Sequence, residues 1–275
     1  MNKLDINYAE WAEPKPFGVS GCFRLRNEAE FMEAAILSHL PFLNEAVLVV
    51  QPSDDDTVER AHTLAQANTK VRVYEYPHIV DWIDTPGFYE NDPDQPGHWV
   101  HLSNWALTKC RYAWIAKTEG DVICLSSFER IIDRINAHPH EQHYYGRVIL
   151  NVAGYDCDQI SMRYPRNAGW DEAVFPNSPD YKFIRSGKFE TIIPGEARTC
   201  MGWSGLHMKR CKAGNLRIGE YEPWAAYTPE NVQAALVEFN QANNYQGIDA
   251  PLGEDCLYER EWINHYLGSR NGYVG

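Results

Sequence analysis

The sequence predicts a mixed α/β protein with a mostly parallel central sheet that is flanked by helices. Three short apolar runs in the first half, 17–25, 45–50 and 71–76, alternate with segments of helical periodicity. Such a βαβαβ alternation gives parallel strands joined by right-handed crossovers. No Gly/Ser/Pro-rich linker or charge block divides the 275 residues, so a single domain is predicted. Ligands of such sheets bind beyond the carboxyl ends of the strands.

The elements between these strands follow from local signals. Segment 28–40 carries apolar residues at helical spacing and predicts the first long helix. The continuous apolar run 45–50 predicts a buried strand. The helix after it is predicted to begin at Asp56, a capping residue with Glu59 three positions later. Segment 71–76 then supplies the third strand.

The chain continues with a less regular stretch. Residues 77–97 combine Pro, Asp and Gly with three aromatic side chains, a composition that predicts a loop lining or covering a site. Segment 102–112 predicts a short amphipathic helix, and segment 113–117 predicts a buried fourth strand. A further helix is predicted to begin at Ser126 or Ser127.

The second half of the chain has a different composition. Segment 144–152 predicts a strand, and the residues after it are rich in Trp, Tyr, Pro and Asn. We therefore expect a smaller lobe with less regular structure over residues 143–275. This lobe would be joined to a regular first half that spans residues 17–142, within one domain.

Composition and charge argue against several classes of protein. The net charge is −13 and the Lys and Arg residues form no cluster, so binding to nucleic acid through phosphate contacts is not expected. The seven cysteines are scattered without CxxC spacing and indicate buried thiols in a reducing compartment.

Residues 1–16 contain no apolar signal core, and no stretch of apolar residues is long enough to span a bilayer. A cytoplasmic protein without a transmembrane segment is expected.

The strongest chemical signal is the turn that follows the fourth predicted strand. Glu119 and Asp121 lie two residues apart. At the end of an extended strand they project to the same side, and they can therefore share one divalent cation. Gly120 between them leaves room for a close ligand. The alternative is a solvated turn whose carboxylates face water.

Four short motifs occur in a fixed order along the first half. They are RNE at 26–28, SDDDT at 53–57, NWAL at 104–107 and KTEGD at 117–121. This order resembles that of the family-2 glycosyltransferases of the GT-A fold, and the resemblance covers roughly the first half of the chain. Two positions depart from the family pattern, because Gln51 and Glu119 stand where the family commonly has Asp. Glutamate remains a chemically suitable metal ligand.

The resemblance implies a GT-A-like fold and a metal-dependent transfer of a sugar from a nucleotide-sugar donor to a glycan hydroxyl, with inversion. It implies Mn²⁺ or Mg²⁺ held by Glu119, Asp121 and His207, since some relatives have a late histidine that completes the metal shell. A purely structural histidine is the alternative. The half 17–142 would bind the donor, and the half 143–275 would bind the acceptor. The donor-binding residues carried over are Arg26, Asn27, Glu28, Asp54, Asn104 and Lys117.

Such a reaction needs a general base, because an acceptor hydroxyl is a poor nucleophile until its proton is being removed. The segments GWD at 169–171 and DYKFIR at 180–185 look like the residues that precede the acceptor-side carboxylate of the family. The resemblance makes Glu196 the first choice for the base. Its rivals are Asp171, Glu172 and Glu190.

Two other functions remain open. A sugar-nucleotide nucleotidyltransferase would use a similar sheet and metal, but it normally has an early Gly-rich phosphate loop, which GVSGCFRL at 18–25 matches poorly. A non-catalytic carbohydrate-binding or scaffold protein would retain the fold without the chemistry. Aromatic faces pack against sugar rings, so Trp170, Trp203 and Trp224 are candidate acceptor platforms, with ordinary packing as the alternative.

Overall fold

The computed structural model describes residues 4–140, 143–156, 159–163, 168–193, 198–208, 212 and 224–226. The helices are α1 (Tyr8–Trp11), α2 (Met32–His39), α3 (Thr57–Ala67), α4 (Pro86–Glu90), α5 (Trp99–Leu107) and α6 (Glu129–Ala137). The first strands are β1 (Val19–Leu25), β2 (Glu45–Val50), β3 (Val71–Glu75), β4 (Trp114–Glu119) and β5 (Val122–Cys124). The later strands are β6 (Tyr144–Asp156), β7 (Gln159–Arg163), β8 (Ala168–Pro176), β9 (Lys182–Ser186), β10 (Phe189–Ile193), β11 (Arg198–His207) and β12 (Trp224–Ala226).

Four parallel strands form the part of the sheet that the sequence predicted. They lie side by side in the order β4-β1-β2-β3. The chain passes from β1 through β2 to β3 in one direction and then places β4 on the other side of β1. This reversal creates a topological switch point between β1 and β4, where ligands of α/β sheets bind. The predicted α/β class with a mostly parallel central sheet flanked by helices is confirmed.

The second half extends this sheet and adds a separate hairpin. β8 pairs antiparallel with β4 and with β6, whereas β11 runs parallel to β6 and antiparallel to β5. The strands β9 and β10 form their own two-stranded sheet. Among the described residues, this half therefore consists mostly of strands.

The core occupies both faces of the sheet. Every residue of β2 is buried, and consecutive side chains alternate between the two faces. Val47 belongs to the cluster that contains Leu102 and Trp105 of α5. Leu48 belongs to the opposite cluster, with Ile36 of α2. This two-sided burial explains why the strand appears in the sequence as an unbroken apolar run.

Some predicted boundaries and one predicted pattern were wrong. The helix expected over 102–112 is α5, which begins at Trp99 and is buried from Val100 to Leu107, so it is not amphipathic. Residues 77–97 include the short helix α4. A 3₁₀ turn, Ser126–Phe128, precedes α6, which has Phe128 at its N-cap position. In the described part of the chain, every helix is too short or too polar to cross a membrane.

Asp55, and not the predicted Asp56, holds the start of α3. The Asp55 carboxylate accepts hydrogen bonds from Thr57 N at 3.0 Å and from Ala29 N at 3.1 Å, whereas Asp56 makes no side-chain capping bond. Burial opposes ionisation of Asp55, but the bonds from Thr57 and Ala29 outweigh it and lower the pKa of this carboxyl group. Asp55 thus ties the helix to the loop after β1.

We expect Asp55→Ala to lower the free energy of unfolding by about 1 kcal/mol at pH 7, a typical value for a lost helix cap. Because the folded-state pKa lies below its ordinary value of 3.8, this stabilisation is present above that value and is lost as the pH falls through the folded-state pKa. Urea unfolding between pH 7 and pH ~3 measures both effects. Asp56→Ala is the matched control, with an expected loss of no more than about 0.5 kcal/mol. An equal loss in the two variants would contradict the assignment.

Candidate metal and donor site

Three side chains of metal-ligating type meet beside the switch point. Glu119 ends β4, Asp121 lies in the turn before β5, and His207 ends β11. The pairing of β11 with β5 places His207 opposite Val122, and Met208 N donates to the Asp121 carbonyl at 2.8 Å. The ligand atoms of Glu119, Asp121 and His207 all lie within 4.8 Å of one another. The structure therefore brings together the three residues predicted as metal ligands.

The geometry of this cluster suits a divalent cation. His207 Nε2 lies 3.2 Å from Asp121 Oδ1 and 3.5 Å from Glu119 Oε2. Asp121 and His207 are buried, while the Glu119 side chain is 33% exposed and faces the pocket described below. Two carboxylates and one imidazole are ligands suited to Mn²⁺ or another first-row metal, and the carboxylates also suit Mg²⁺.

Lysine side chains balance the charge of these acids. Lys212 Nζ lies 2.7 Å from Asp121 Oδ2 and 2.6 Å from Glu28 Oε2. Lys117 Nζ lies 3.5 Å from Glu119 Oε1. Lys212 could not be predicted from the sequence, because this residue follows Asp121 by 91 positions and belongs to no recognisable motif.

The surroundings shift the pKa values of all three acids. Burial opposes ionisation of Asp121, but the hydrogen bond and charge of His207 and the charge of Lys212 hold its pKa far below the usual range. Burial likewise opposes ionisation of Glu119, and the charges of Lys117 and His207 overcome it and lower the pKa. Burial and the charge of Asp121 raise the pKa of Glu28 to about 8, despite the contact with Lys212.

Gly120 has a packing role that differs from the prediction. A methyl group at this position would lie 2.5 Å from Leu25 Cδ2 and 3.1 Å from Glu28 Cβ. The space beside Gly120 is therefore filled by the end of β1 and the loop that follows it. Glycine lets the turn that carries Asp121 pack closely against this loop.

A pocket of about 430 Å³ opens onto the cluster of Glu119, Asp121 and His207. Its volume is within the usual range of small-molecule sites. Its lining combines polar and apolar side chains. The polar ones include Arg24, Arg26, Asn27, Glu28, Gln51, Lys117, Glu119, Asp121, Glu190, His207 and Lys212. The apolar and aromatic ones include Trp82, Ile83, Trp99, Tyr144, Phe183 and Phe189. Trp82 and Ile83 belong to segment 77–97, which lines the pocket as predicted.

The predicted donor-binding residues divide into two groups. Arg26, Asn27, Glu28 and Lys117 line the pocket. Asp54 and Asn104 do not, and their side chains hold parts of the chain in place. Asp54 bonds the Asn27 amide through its own backbone N at 2.8 Å and its carboxylate at 3.2 Å. The Asn104 amide bonds both the backbone N and O of Phe183, at 2.8 and 2.9 Å.

Arg26 and Gln51 line the pocket, and their polar atoms have different partners. Arg26 Nε is buried and has no hydrogen-bond partner among the described residues, which favours an acceptor atom supplied by a ligand. Gln51, where the family commonly has Asp, is buried and accepts a hydrogen bond from Val80 N at 3.2 Å. Its amide oxygen thus holds segment 77–97 against the end of β2.

Glu190, a rival for the general base, forms a buried ion pair. Arg24 Nη1 lies 2.6 Å from Glu190 Oε1, and the guanidinium lies over the rings of Trp99 and Phe183 at 5.0 and 5.2 Å. Ser103 Oγ donates to Glu190 Oε2 at 2.6 Å. Burial opposes the charge of Arg24, but Glu190 outweighs it and raises the pKa of the guanidinium. The pair joins the β9–β10 hairpin to β1, where Arg24 lies in register with Glu119.

The other predicted residues of the acceptor half have no described side chains. Glu196 lies outside the described residues. Asp171, Glu172 and Trp170 lie on β8, Trp203 lies on β11 and Trp224 lies on β12, each with its backbone alone described. Their predicted roles remain predictions.

Comparisons with known proteins find similarity only to solved structures. No family model and no curated protein matches the chain. Glucosyl-3-phosphoglycerate synthase from Mycobacterium tuberculosis, in complex with Mn²⁺, UDP and phosphoglyceric acid, is 17% identical with a TM-score of 0.35. That match covers 52% of this chain and 45% of the synthase, so it spans less than half of the synthase's length.

Two further structures are similar at the same distant level. Residues 1–349 of S. aureus TarS are 12% identical with a TM-score of 0.46, over 93% of this chain and 74% of that one. The 4-diphosphocytidyl-2C-methyl-D-erythritol synthase from Anaerococcus prevotii is 12% identical with a TM-score of 0.30, over 59% of this chain and 70% of that one.

Proposed function

We propose that the protein is a metal-dependent glycosyltransferase that moves a sugar from a nucleotide-diphosphosugar donor to a hydroxyl of a glycan acceptor. The observation that carries the proposal is the convergence of Glu119, Asp121 and His207 within 4.8 Å. This cluster lies at the switch point of a parallel sheet, where such folds bind their ligands. It opens into a pocket that also contains basic side chains suited to an anionic donor.

Within this proposal Glu119, Asp121 and His207 hold Mn²⁺ or Mg²⁺. The bound cation would neutralise the donor diphosphate and stabilise the negative charge on it as it departs. Arg26 Nε, which is buried and has no hydrogen-bond partner in the described part of the chain, would donate to a phosphate or ribose oxygen. Lys117 lines the same pocket and adds a positive charge near the diphosphate.

The proposed reaction is a single displacement at the anomeric carbon. The acceptor oxygen forms a bond to this carbon while the bond from the carbon to the diphosphate oxygen breaks, and that electron pair leaves on the diphosphate. A carboxylate takes the proton of the acceptor hydroxyl. We propose Glu196 or Asp171 for this carboxylate, since Glu190 is held by Arg24 and Ser103. The half 17–142 would bind the donor and the half 143–275 the acceptor.

Calorimetric titration with nucleotide sugars tests the proposal. UDP, GDP and TDP sugars and a CMP sugar are titrated into the protein with Mn²⁺ and, separately, with EDTA. We expect one nucleotide class to bind with Mn²⁺ and to lose that binding in EDTA. Absence of binding by every donor under both conditions would favour a non-catalytic carbohydrate-binding or scaffold protein.

Product analysis separates the proposed reaction from nucleotidyl transfer. A glycosyltransferase releases a nucleoside diphosphate from the donor, and slow hydrolysis without acceptor gives the same product. A nucleotidyltransferase instead consumes a nucleoside triphosphate and a sugar phosphate and releases pyrophosphate. Pyrophosphate release from such a mixture would contradict the proposed function while leaving the metal site intact.

A further inference from the structure

The positively charged side chain of Lys212 contacts Asp121, one of the proposed metal ligands. The Lys212 ammonium contacts Asp121 Oδ2 at 2.7 Å and Glu28 Oε2 at 2.6 Å. Its side chain is only 14% exposed, so water screens these contacts weakly. Glu28 belongs to the loop after β1, and Asp121 belongs to the turn after β4. The ammonium therefore joins the two loops that border the switch point.

This arrangement conflicts with binding of a divalent cation alone. A metal ion held by Asp121 with Glu119 and His207 would share the Asp121 carboxylate with the ammonium. Two cations on one buried carboxylate repel each other strongly, because the local dielectric constant is low. The ammonium must then leave Asp121 or weaken the binding of the metal.

A diphosphate would remove this conflict. Lys212 lines the same pocket as the metal cluster, so anionic phosphate oxygens in that pocket would lie within reach of its ammonium group. A charge-assisted hydrogen bond to such an oxygen replaces the contact with Asp121. The carboxylate is then released for the metal, and the lysine keeps an anionic partner.

We propose that Lys212 is a displaceable counter-ion of the metal site, which competes with the metal in the free protein and makes metal and nucleotide-diphosphate binding cooperative. The identity of the anion rests on the proposed function, whereas the competition with the metal does not. Lys212 is thus a positioning residue. By linkage, each ligand tightens the binding of the other by the same factor.

Mn²⁺ binding by the full chain, followed by electron paramagnetic resonance, tests this role. The affinity is measured with and without UDP and corrected for the Mn–UDP complex that forms in solution. In the wild type we expect UDP to tighten Mn²⁺ binding about tenfold or more. In Lys212→Met we expect Mn²⁺ alone to bind about tenfold tighter than in the wild type, and UDP to tighten Mn²⁺ binding by a smaller factor than it does in the wild type, because only the direct attraction between metal and diphosphate remains.

Two matched variants control for charge and folding. Lys212→Arg keeps the positive charge and should retain the weak binding of Mn²⁺ alone. Lys188→Met removes an exposed lysine, which pairs with Asp84 at 3.3 Å, and should leave both affinities unchanged. Circular dichroism establishes that each variant folds. If Lys212→Met does not fold, Lys212→Gln, which also removes the charge, takes its place in both measurements.

Different results of these binding measurements would contradict the role of Lys212 and the proposed glycosyltransferase function. The counter-ion role is overturned if folded Lys212→Met binds Mn²⁺ alone no more tightly than the wild type does. It is also overturned if bound UDP leaves the Mn²⁺ affinity of the wild type unchanged. Failure of every nucleotide to bind would contradict the proposed function and the cooperativity. The comparison with Mn²⁺ alone would then still support or overturn the competition at Asp121.

Discussion

Replacement of Asp121 by asparagine is expected to abolish metal-dependent nucleotide binding and to lower kcat/KM at least about thousandfold, or about 4 kcal/mol of transition-state stabilisation. Asp121 is more buried than Glu119, the other carboxylate of the cluster, and its oxygens contact both His207 and Lys212. Asparagine keeps the shape of the side chain but removes its charge, and we expect the affinity for the metal to be lost with that charge. Calorimetry with Mn²⁺ and steady-state kinetics measure the two effects.

Asp133→Asn is the matched control for this variant. Asp133 is exposed on α6, so its replacement removes the same charge without touching the pocket. Both variants are compared by thermal unfolding, because Asp121 also contacts two neighbouring side chains. A folded Asp121→Asn protein that still bound nucleotide only in the presence of Mn²⁺ would contradict the assignment of Asp121 as a ligand.

The parallel core of the fold could be predicted because its strands are buried on both faces. The run 45–50 coincides with β2, since its five apolar residues are divided between the core clusters on the two faces of the sheet. The predicted start of α5 was wrong for the same reason. Burial of every residue from Val100 to Leu107 leaves no amphipathic signal that would mark the start of this helix.

The site could be predicted only where its residues follow strands. Glu119 and Asp121 flank a single turn, so their shared direction follows from local geometry. The contacts of Lys212 and Glu190 instead join residues far apart in sequence, 184 positions for Lys212 with Glu28 and 166 for Glu190 with Arg24, and neither residue belongs to a motif. Asp54 and Asn104 match the family motifs in sequence, yet their side chains bond the backbone and side chains of neighbouring segments.

The buried ion pair between Arg24 and Glu190 anchors the β9–β10 hairpin to β1. Glu190→Ala is expected to lower the free energy of unfolding by about 3–5 kcal/mol, because it leaves the guanidinium of Arg24 buried without its anionic partner. The two side chains are only 5% and 11% exposed, so solvent cannot replace the lost contact. A small protein is stable by about 5–15 kcal/mol, and the loss would therefore appear clearly in urea unfolding.

A double variant separates the pair from simple loss of packing. In Arg24→Met/Glu190→Leu both charges are replaced by apolar groups of similar length, and the Met side chain still packs between Trp99 and Phe183. We expect this double variant to be more stable than Glu190→Ala by about 2 kcal/mol or more. Lys188→Ala, on the same hairpin, breaks an exposed pair with Asp84 and should cost less than about 0.5 kcal/mol. If the double variant is as unstable as the sum of its single substitutions, Arg24 and Glu190 are not coupled, and the hairpin is held by its apolar contacts with the pocket wall instead.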